Sequence, residues 1–326
     1  MMIERLDRLQ RRHPVLGFWI AVIYKFVDDQ GGYLAVLITY YAFLSLFPLL
    51  LLLTTIVGIV LEGDPQLQKT VIDSALSQFP VIGDQLGTPQ ELSGGTAAIV
   101  IGILGALYGA SGIGQATQHT MNTAWQVPRN SRPNPILSRV RSLLLLTLIA
   151  LALIATTVLS TYGGLAGSLD TSQSTGVAVA AVVTNSLIFA VAFRLSTTSK
   201  NVTYRDVLPG AILMGVVWQL LQTFGTFYVN GVVKNASTTN SVFAVVLGLL
   251  AYFYLAAIAL VISAEINAVH KHRLYPRALL TPFTDNVDLT RGDRKTYTRQ
   301  AKAQRQKGFE QVTVTFDKPE EPDTKN

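Results

Sequence analysis

Residues 33–61 carry no charged side chain across 29 consecutive positions, and that run restricts the chain to a membrane fold. A bilayer core is crossed by about 20 apolar residues as a helix, because each backbone N–H and C=O must be satisfied internally away from water. Pro48 lies inside the run. It offers no N–H to the Leu44 carbonyl, and its ring crowds the preceding turn. Tyr41, Ser45 and Pro48 share one helical face by their spacing. That face is expected against other helices, where the freed carbonyl can find a partner.

The rest of the chain repeats the pattern. Of 326 residues, 49% are hydrophobic and 14% charged, against about 25% charged in soluble domains. The uncharged blocks predict an all-α, polytopic membrane protein with six transmembrane helices, at about 33–61, 95–118, 142–167, 176–193, 207–229 and 241–269. An N-terminal segment, 1–32, precedes this membrane domain, 33–272. Its apolar stretch after Pro14 is too short to span and is closed by Lys25, Asp28 and Asp29. It reads as an interfacial helix with Trp19 and Tyr24 at headgroup level. Residues 62–93 are polar, with an amphipathic helix expected around Val71–Phe79. The tail, 273–326, is basic and shows no sustained apolar pattern, so it is expected to be mostly disordered. There is no cysteine, which excludes disulfides and cysteine-based metal sites.

Basic residues set an orientation. With six spans, 24 of the 26 Lys and Arg fall on one side. They sit in the N-terminal segment, in the 126–141 loop, in the 194–205 loop and in the tail. Only Lys69 and Lys234 fall on the other side. By the positive-inside rule both termini are expected in the cytoplasm.

Polar residues inside the spans are the candidate working groups. Tyr108, Ser111, Gln115, Gln118 and Asn122 form one helical stripe, and Gln219, Gln222, Thr226 and Asn230 another. A stripe of this kind either makes hydrogen bonds between helices or lines a polar cavity. Gly105 and Gly109 are spaced to let another helix approach. Asp206 reads as an N-cap, with Pro209 and Gly210 in the first turn of the fifth span. Glu265 is a carboxylate in an otherwise apolar span, close to its cytoplasmic end. Three roles stay open for it: a substrate or coupling contact, a pair with Arg194, or a snorkelling interfacial acid. Tyr41, Ser45, Gln115, His119, Asn122, Gln219, Gln222, Glu265 and Asn267 are therefore the candidate cavity residues, and Pro48, Gly105, Gly109, Pro209 and Gly210 the helix-shaping ones. His13, His119, His270 and His272 show no metal-ligand spacing, and His270 and His272 are expected to join the basic anchor. No metal or cofactor is expected. The tail stretch Arg291–Lys307 is strongly basic. Anionic lipid is its expected partner, and no aromatic or glycine-rich module argues for nucleic acid.

Four motifs in order resemble the YihY/BrkB family of bacterial inner-membrane proteins. They are residues 39–53 (TYYAFLSLFPLLLLL), Asn122–Trp125, residues 204–229 (YRDVLPGAILMGVVWQLLQTFGTFYV) and residues 250–269 (LAYFYLAAIALVISAEINAV). The chain departs mildly, with Ala251-Tyr252 where many members carry Trp and Ser263 where they carry Gly. The resemblance implies a six-helix fold and a plasma-membrane location. Some members were labelled ribonuclease BN, and a lipid-export or flippase role has been proposed for relatives. The leading expectation is transport or flipping of a lipid-like substrate through a cytoplasm-facing polar cavity, with Glu265 at its rim and Gln219 and Gln222 deeper. The alternatives are a membrane scaffold for envelope or virulence-associated partners and, third, an enzyme, against which the missing acid–base constellations argue. Substrate and oligomeric state are not legible in the residues.

Overall fold

The computed structural model describes residues 2–60, 66, 68–69, 96–147, 171–228, 238–284 and 287–317. Among the described residues the regular structure is entirely helical. In chain order the helices are α1 (Met2–Arg12), α2 (Pro14–Asp28), α3 (Gly31–Val60), α4 (Thr96–Ala124), α5 (Thr171–Ser196), α6 (Tyr204–Tyr228), α7 (Thr238–His272) and α8 (Arg291–Ala303). Residues 135–147 are also helical. The third expected span, 142–167, lies outside the described residues beyond 147, as does nearly all of 62–93.

Among the described residues three helical stretches are long and apolar enough to cross a membrane: Val179–Ser196, Tyr204–Gly225 and Phe243–His272. Helix α6 shows how sequence dictates the arrangement. Leu208, Ile212, Val216, Leu220, Phe224 and Phe227 recur every three or four residues and are all exposed, a stripe suited to lipid. Val207, Ala211, Met214 and Leu221 face the other way and are buried, where α6 packs on α5 and α7. Lipid tails are as apolar as leucine, so close packing rather than water exclusion must hold such helices together. Small residues provide it. A β-carbon at Gly215 would lie 2.3 Å from Ser186 Oγ, and one at Gly210 only 2.1 Å from the Ser263 carbonyl oxygen.

The same device joins α3 to α4. A β-carbon at Gly105 would sit 2.9 Å from Pro48 Cγ, one at Gly109 2.4 Å from Ser45 Cβ, and one at Gly112 2.2 Å from the Tyr41 ring. The Tyr41, Ser45 and Pro48 face of α3 is thus the face laid on the glycine edge of α4.

Three expectations need correcting. Helix α6 begins at Tyr204, so Thr203 is the N-cap and Asp206 lies three residues on, accepting from the Thr203 N–H at 2.8 Å and its hydroxyl at 2.8 Å. Pro209 consequently sits in the second turn, and the Arg205 carbonyl loses its helical donor. The tail is not wholly irregular either. Residues Arg291–Ala303 form α8, opened by a capping box in which Thr290 and Asp293 satisfy each other's backbone N–H. Asp293 is fully buried and accepts from Arg277 Nε and the Ala278 N–H at 3.0 Å. Buried charge and backbone hydrogen bonds hold this helix, which an apolar pattern cannot reveal. Finally, His272 Nε2 lies 2.7 Å from Arg299 Nη2. A guanidinium only donates, so the ring presents a lone pair there and is no part of a cationic anchor.

The basic segments meet at one end of the bundle. Arg141 donates to the Thr197 carbonyl at 2.9 Å, Lys271 pairs with Asp206 at 2.8 Å, and Arg277 of the tail pairs with Asp28 at 3.0 Å.

Candidate functional site

Two adjoining cavities lie at that end. The larger, about 510 Å³, is bounded by the α2–α3 corner (Asp28, Asp29, Gln30, Tyr33), by the end of α4 with the loop after it (His119, Thr123, Gln126, Arg129, Arg132) and by Gln300 of α8 with its C-cap Gln304. The smaller, about 310 Å³, lies between α3 and α4 and is lined by Tyr41, Gln115, Gln118, His119, Asn122 and Ser138 among others. Leu37, His119 and Arg132 border both. Volumes of this size suit small-molecule sites.

Local backbone geometry builds the larger cavity. Gln30 and Gln126 both have left-handed backbones, with φ of 55° and 53°. Gln126 ends α4 in a Schellman motif, with its N–H on the Thr123 carbonyl and the Val127 N–H on the Asn122 carbonyl, each at 2.8 Å. Glycine is the usual residue here, because a β-carbon makes this conformation costly. Gln126 is 6% exposed. Its Oε1 accepts from Arg299 Nε at 3.1 Å, while its Nε2 has no hydrogen-bond partner among the described residues.

The structure brings together four of the nine candidate cavity residues, Tyr41, Gln115, His119 and Asn122, in the wall of the smaller cavity. His119 Nδ1 lies 3.4 Å from Arg132 Nη1. The α4 stripe divides between its two readings. Gln115 Nε2 bonds within its own helix, to the Ser111 carbonyl at 3.2 Å. Gln118 ties α4 to helical residues 135–147 through Ser142 Oγ at 2.8 Å, and Asn122 Oδ1 receives the Thr198 hydroxyl at 2.6 Å. Ser45 is buried against Gly109 and donates to the Ala42 carbonyl at 3.0 Å. Gln219 and Gln222 on α6 are half-buried and line neither cavity. Asn267 is buried and accepts the Gly210 N–H at 2.7 Å, joining α7 to α6 next to Pro209.

Glu265 neither pairs with Arg194 nor snorkels to the interface. Its carboxylate is fully buried and lies 2.8 Å from Lys25 Nζ of α2, where a pair with Arg194 or a place at the cavity rim was expected. Lys25, fully buried too, also pairs with Asp29. Helix α2 packs along α7 through Ala21 and Val22, against Ile266 and Val269, which carries Lys25 inward to Glu265. The sequence contained the signal, a lone lysine on the small-residue face of α2, but linking it to a carboxylate 240 residues away requires the fold. Next to Asp29, Asp28 pairs with Arg277, which also holds Asp293. Burial raises the Asp28 carboxyl above its ordinary value, and Arg277 offsets this only in part. Burial alone would lower Arg277, but Asp28 and Asp293 outweigh it and hold the guanidinium above its usual range. The guanidinium also lies over the rings of Tyr24 and Tyr297, 5.8 and 5.3 Å from their centroids. Among the described residues no group of three or more His, Asp or Glu side chains could hold a metal ion.

A ribonuclease-like protein, YfkH of Bacillus subtilis, is 25% identical over 276 residues, covering 80% of this chain and 98% of the relative. The inner membrane protein YhjD of Escherichia coli is 21% identical over 289 residues, covering 82% of this chain and 85% of the relative. No solved structure matches. Residues 22–286, from within α2 to just before α8, match the family model described as virulence factor BrkB, and the chain belongs to that family.

Proposed function

We propose that this integral membrane protein resides in the bacterial inner membrane with both termini in the cytoplasm, and that it transports or flips a lipid-like, amphipathic substrate. The observation behind this reading is the pair of adjoining polar cavities at the basic end of the bundle, beside helix faces suited to lipid. A headgroup entering between α3 and α4 would meet Gln115, His119 and Arg132, while its chains stay against apolar helix surface such as Leu104 and Leu107. The positive-inside rule assigns this end to the cytoplasm.

The scaffold reading draws on a different observation, the use of Gln118 and Asn122 as ties between helices. Catalysis has less support. The wall's imidazole, His119, stands beside Arg132 rather than a carboxylate. YfkH is named ribonuclease-like, so ribonuclease activity of the purified chain is a direct check. The test of transport is movement of fluorescent short-chain phospholipids across proteoliposomes holding the full chain. Translocation that drops in Gln115→Leu supports the reading. Translocation no faster than in protein-free vesicles, across anionic and zwitterionic headgroups alike, overturns it.

A further inference from the structure

The larger cavity has two electrical poles. At one pole Asp28 and Asp29 form the wall, backed by a buried network in which four carboxylates, Asp28, Asp29, Glu265 and Asp293, contact two cations, Lys25 and Arg277. The α8 guanidinium of Arg299 does not redress that balance directly, since it is held by the neutral acceptors Gln126, Trp125 and His272. Carboxylates in a partly buried wall attract a cation. At the other pole stand Arg129 and Arg132. Among the described residues neither has a carboxylate partner, and Arg132 Nε donates only to the Val127 carbonyl at 3.2 Å. In the same wall Gln126 is buried, and its Nε2 has no partner among the described residues. A buried donor left unpaired is costly, and an acceptor in the cavity would relieve it. Its left-handed backbone adds strain at the same residue, as functional positions often do.

We infer that this cavity binds a phosphate ester bearing a primary amine, the chemistry of a phosphoethanolamine headgroup. The phosphate oxygens sit on Arg129, Arg132 and Gln126 Nε2, and the ammonium lies against Asp28, whose side chain is 20% exposed. Guanidinium groups match phosphate oxygens in geometry and charge. The bare amine suits carboxylates better than a trimethylated one, because it can donate hydrogen bonds as well as carry charge. The ester is either part of a lipid or a free small molecule. The assignment rests on the transport reading for its biological meaning, but binding is measured without transport.

The test is isothermal titration of the full chain in dodecyl maltoside with four probes: dihexanoyl phosphatidylethanolamine, its phosphatidylcholine and phosphatidylglycerol counterparts, and free O-phosphoethanolamine. The ethanolamine lipid should bind at least about tenfold more tightly than the other two lipids, a factor set by losing one charge-assisted contact. Arg129→Gln, on an exposed side chain, together with Arg132→Gln, should weaken it by a similar factor, while Asp28→Asn should erase its advantage over phosphatidylglycerol. Free O-phosphoethanolamine binding as tightly as the lipid would support the site and name a soluble ester as its source; much weaker binding would name the lipid. Equal affinity for all three lipids, or unchanged affinity in the Arg129/Arg132 double variant with far-UV circular dichroism intact, overturns the inference. If binding holds while proteoliposomes show no translocation, the transport reading fails and this site stands.

Discussion

Replacing Lys25 by methionine is expected to damage the protein far more than replacing Glu265 by glutamine. Both side chains are fully buried, and Asp29 is nearly so, its side chain 3% exposed. Lys25→Met keeps the stem volume but leaves Glu265 and Asp29 together without their cation. Removing one partner of a buried pair costs about 3–5 kcal/mol, because the other charge stays desolvated. At roughly 2–4 °C per kcal/mol for a large domain, the midpoint should fall by on the order of 10 °C. Glu265→Gln keeps the shape, leaves Lys25 paired with Asp29, and removes one carboxylate from a network that holds more acids than bases. Its cost should stay below about 1.5 kcal/mol, the worth of an ordinary hydrogen bond. Thermal scans by far-UV circular dichroism in detergent would read both variants against the wild type. Equal midpoint shifts, or a larger one for Glu265→Gln, would refute the view that the cation is the limiting member of this network. A Glu265→Gln protein that expresses normally yet loses function would further mark the carboxylate as more than a structural pair.

Gly210→Ala should lower the yield of folded protein sharply, since its methyl would lie 2.1 Å from the Ser263 carbonyl oxygen and 2.8 Å from the adjoining carbon; a wild-type melting midpoint would contradict this. Overpacking of that kind costs about 1–3 kcal/mol or more, and backbone atoms cannot turn aside as a side chain can. Deleting residues 285–326 should destabilise the protein, because Arg277 loses Asp293 and α8 no longer covers the larger cavity. An unshifted midpoint for the truncated chain would return the tail to the status of an unstructured appendage. A single cysteine at position 132 should react with an impermeant maleimide in inverted vesicles and not in intact cells, and the opposite pattern would reverse the orientation.

The helical class and the interface between α3 and α4 were legible because one regularity each encodes them. Long uncharged runs mark spans, and Gly105, Gly109 and Gly112 mark a face that must meet something bulky, here Pro48, Ser45 and Tyr41. Gln115 and Asn122 were legible for a related reason, since helical spacing puts them on one face, whereas their meeting with Tyr41 of α3 depends on how the two helices pack. What could not be read was pairing across long separations. Nothing local in Lys25 points to Glu265, and nothing in Arg277 points to Asp28. Helix α8 escaped because its burial is polar: a capping box and one buried aspartate replace the apolar stripe by which helices are recognised. Gln219 and Gln222 show the limit of stripe reasoning, since amides on one face of a helix do not say which neighbour that face meets.

The central claim, that substrate passes through the polar cavities from the cytoplasmic side, is tested most directly by a single cysteine at Leu37. This residue borders both cavities, and the chain has no native cysteine. In proteoliposomes of known protein orientation, an impermeant thiol reagent should react only from the side bearing the basic loops, and modification should abolish lipid translocation. Stoichiometric modification that leaves translocation at its unmodified rate would contradict the account.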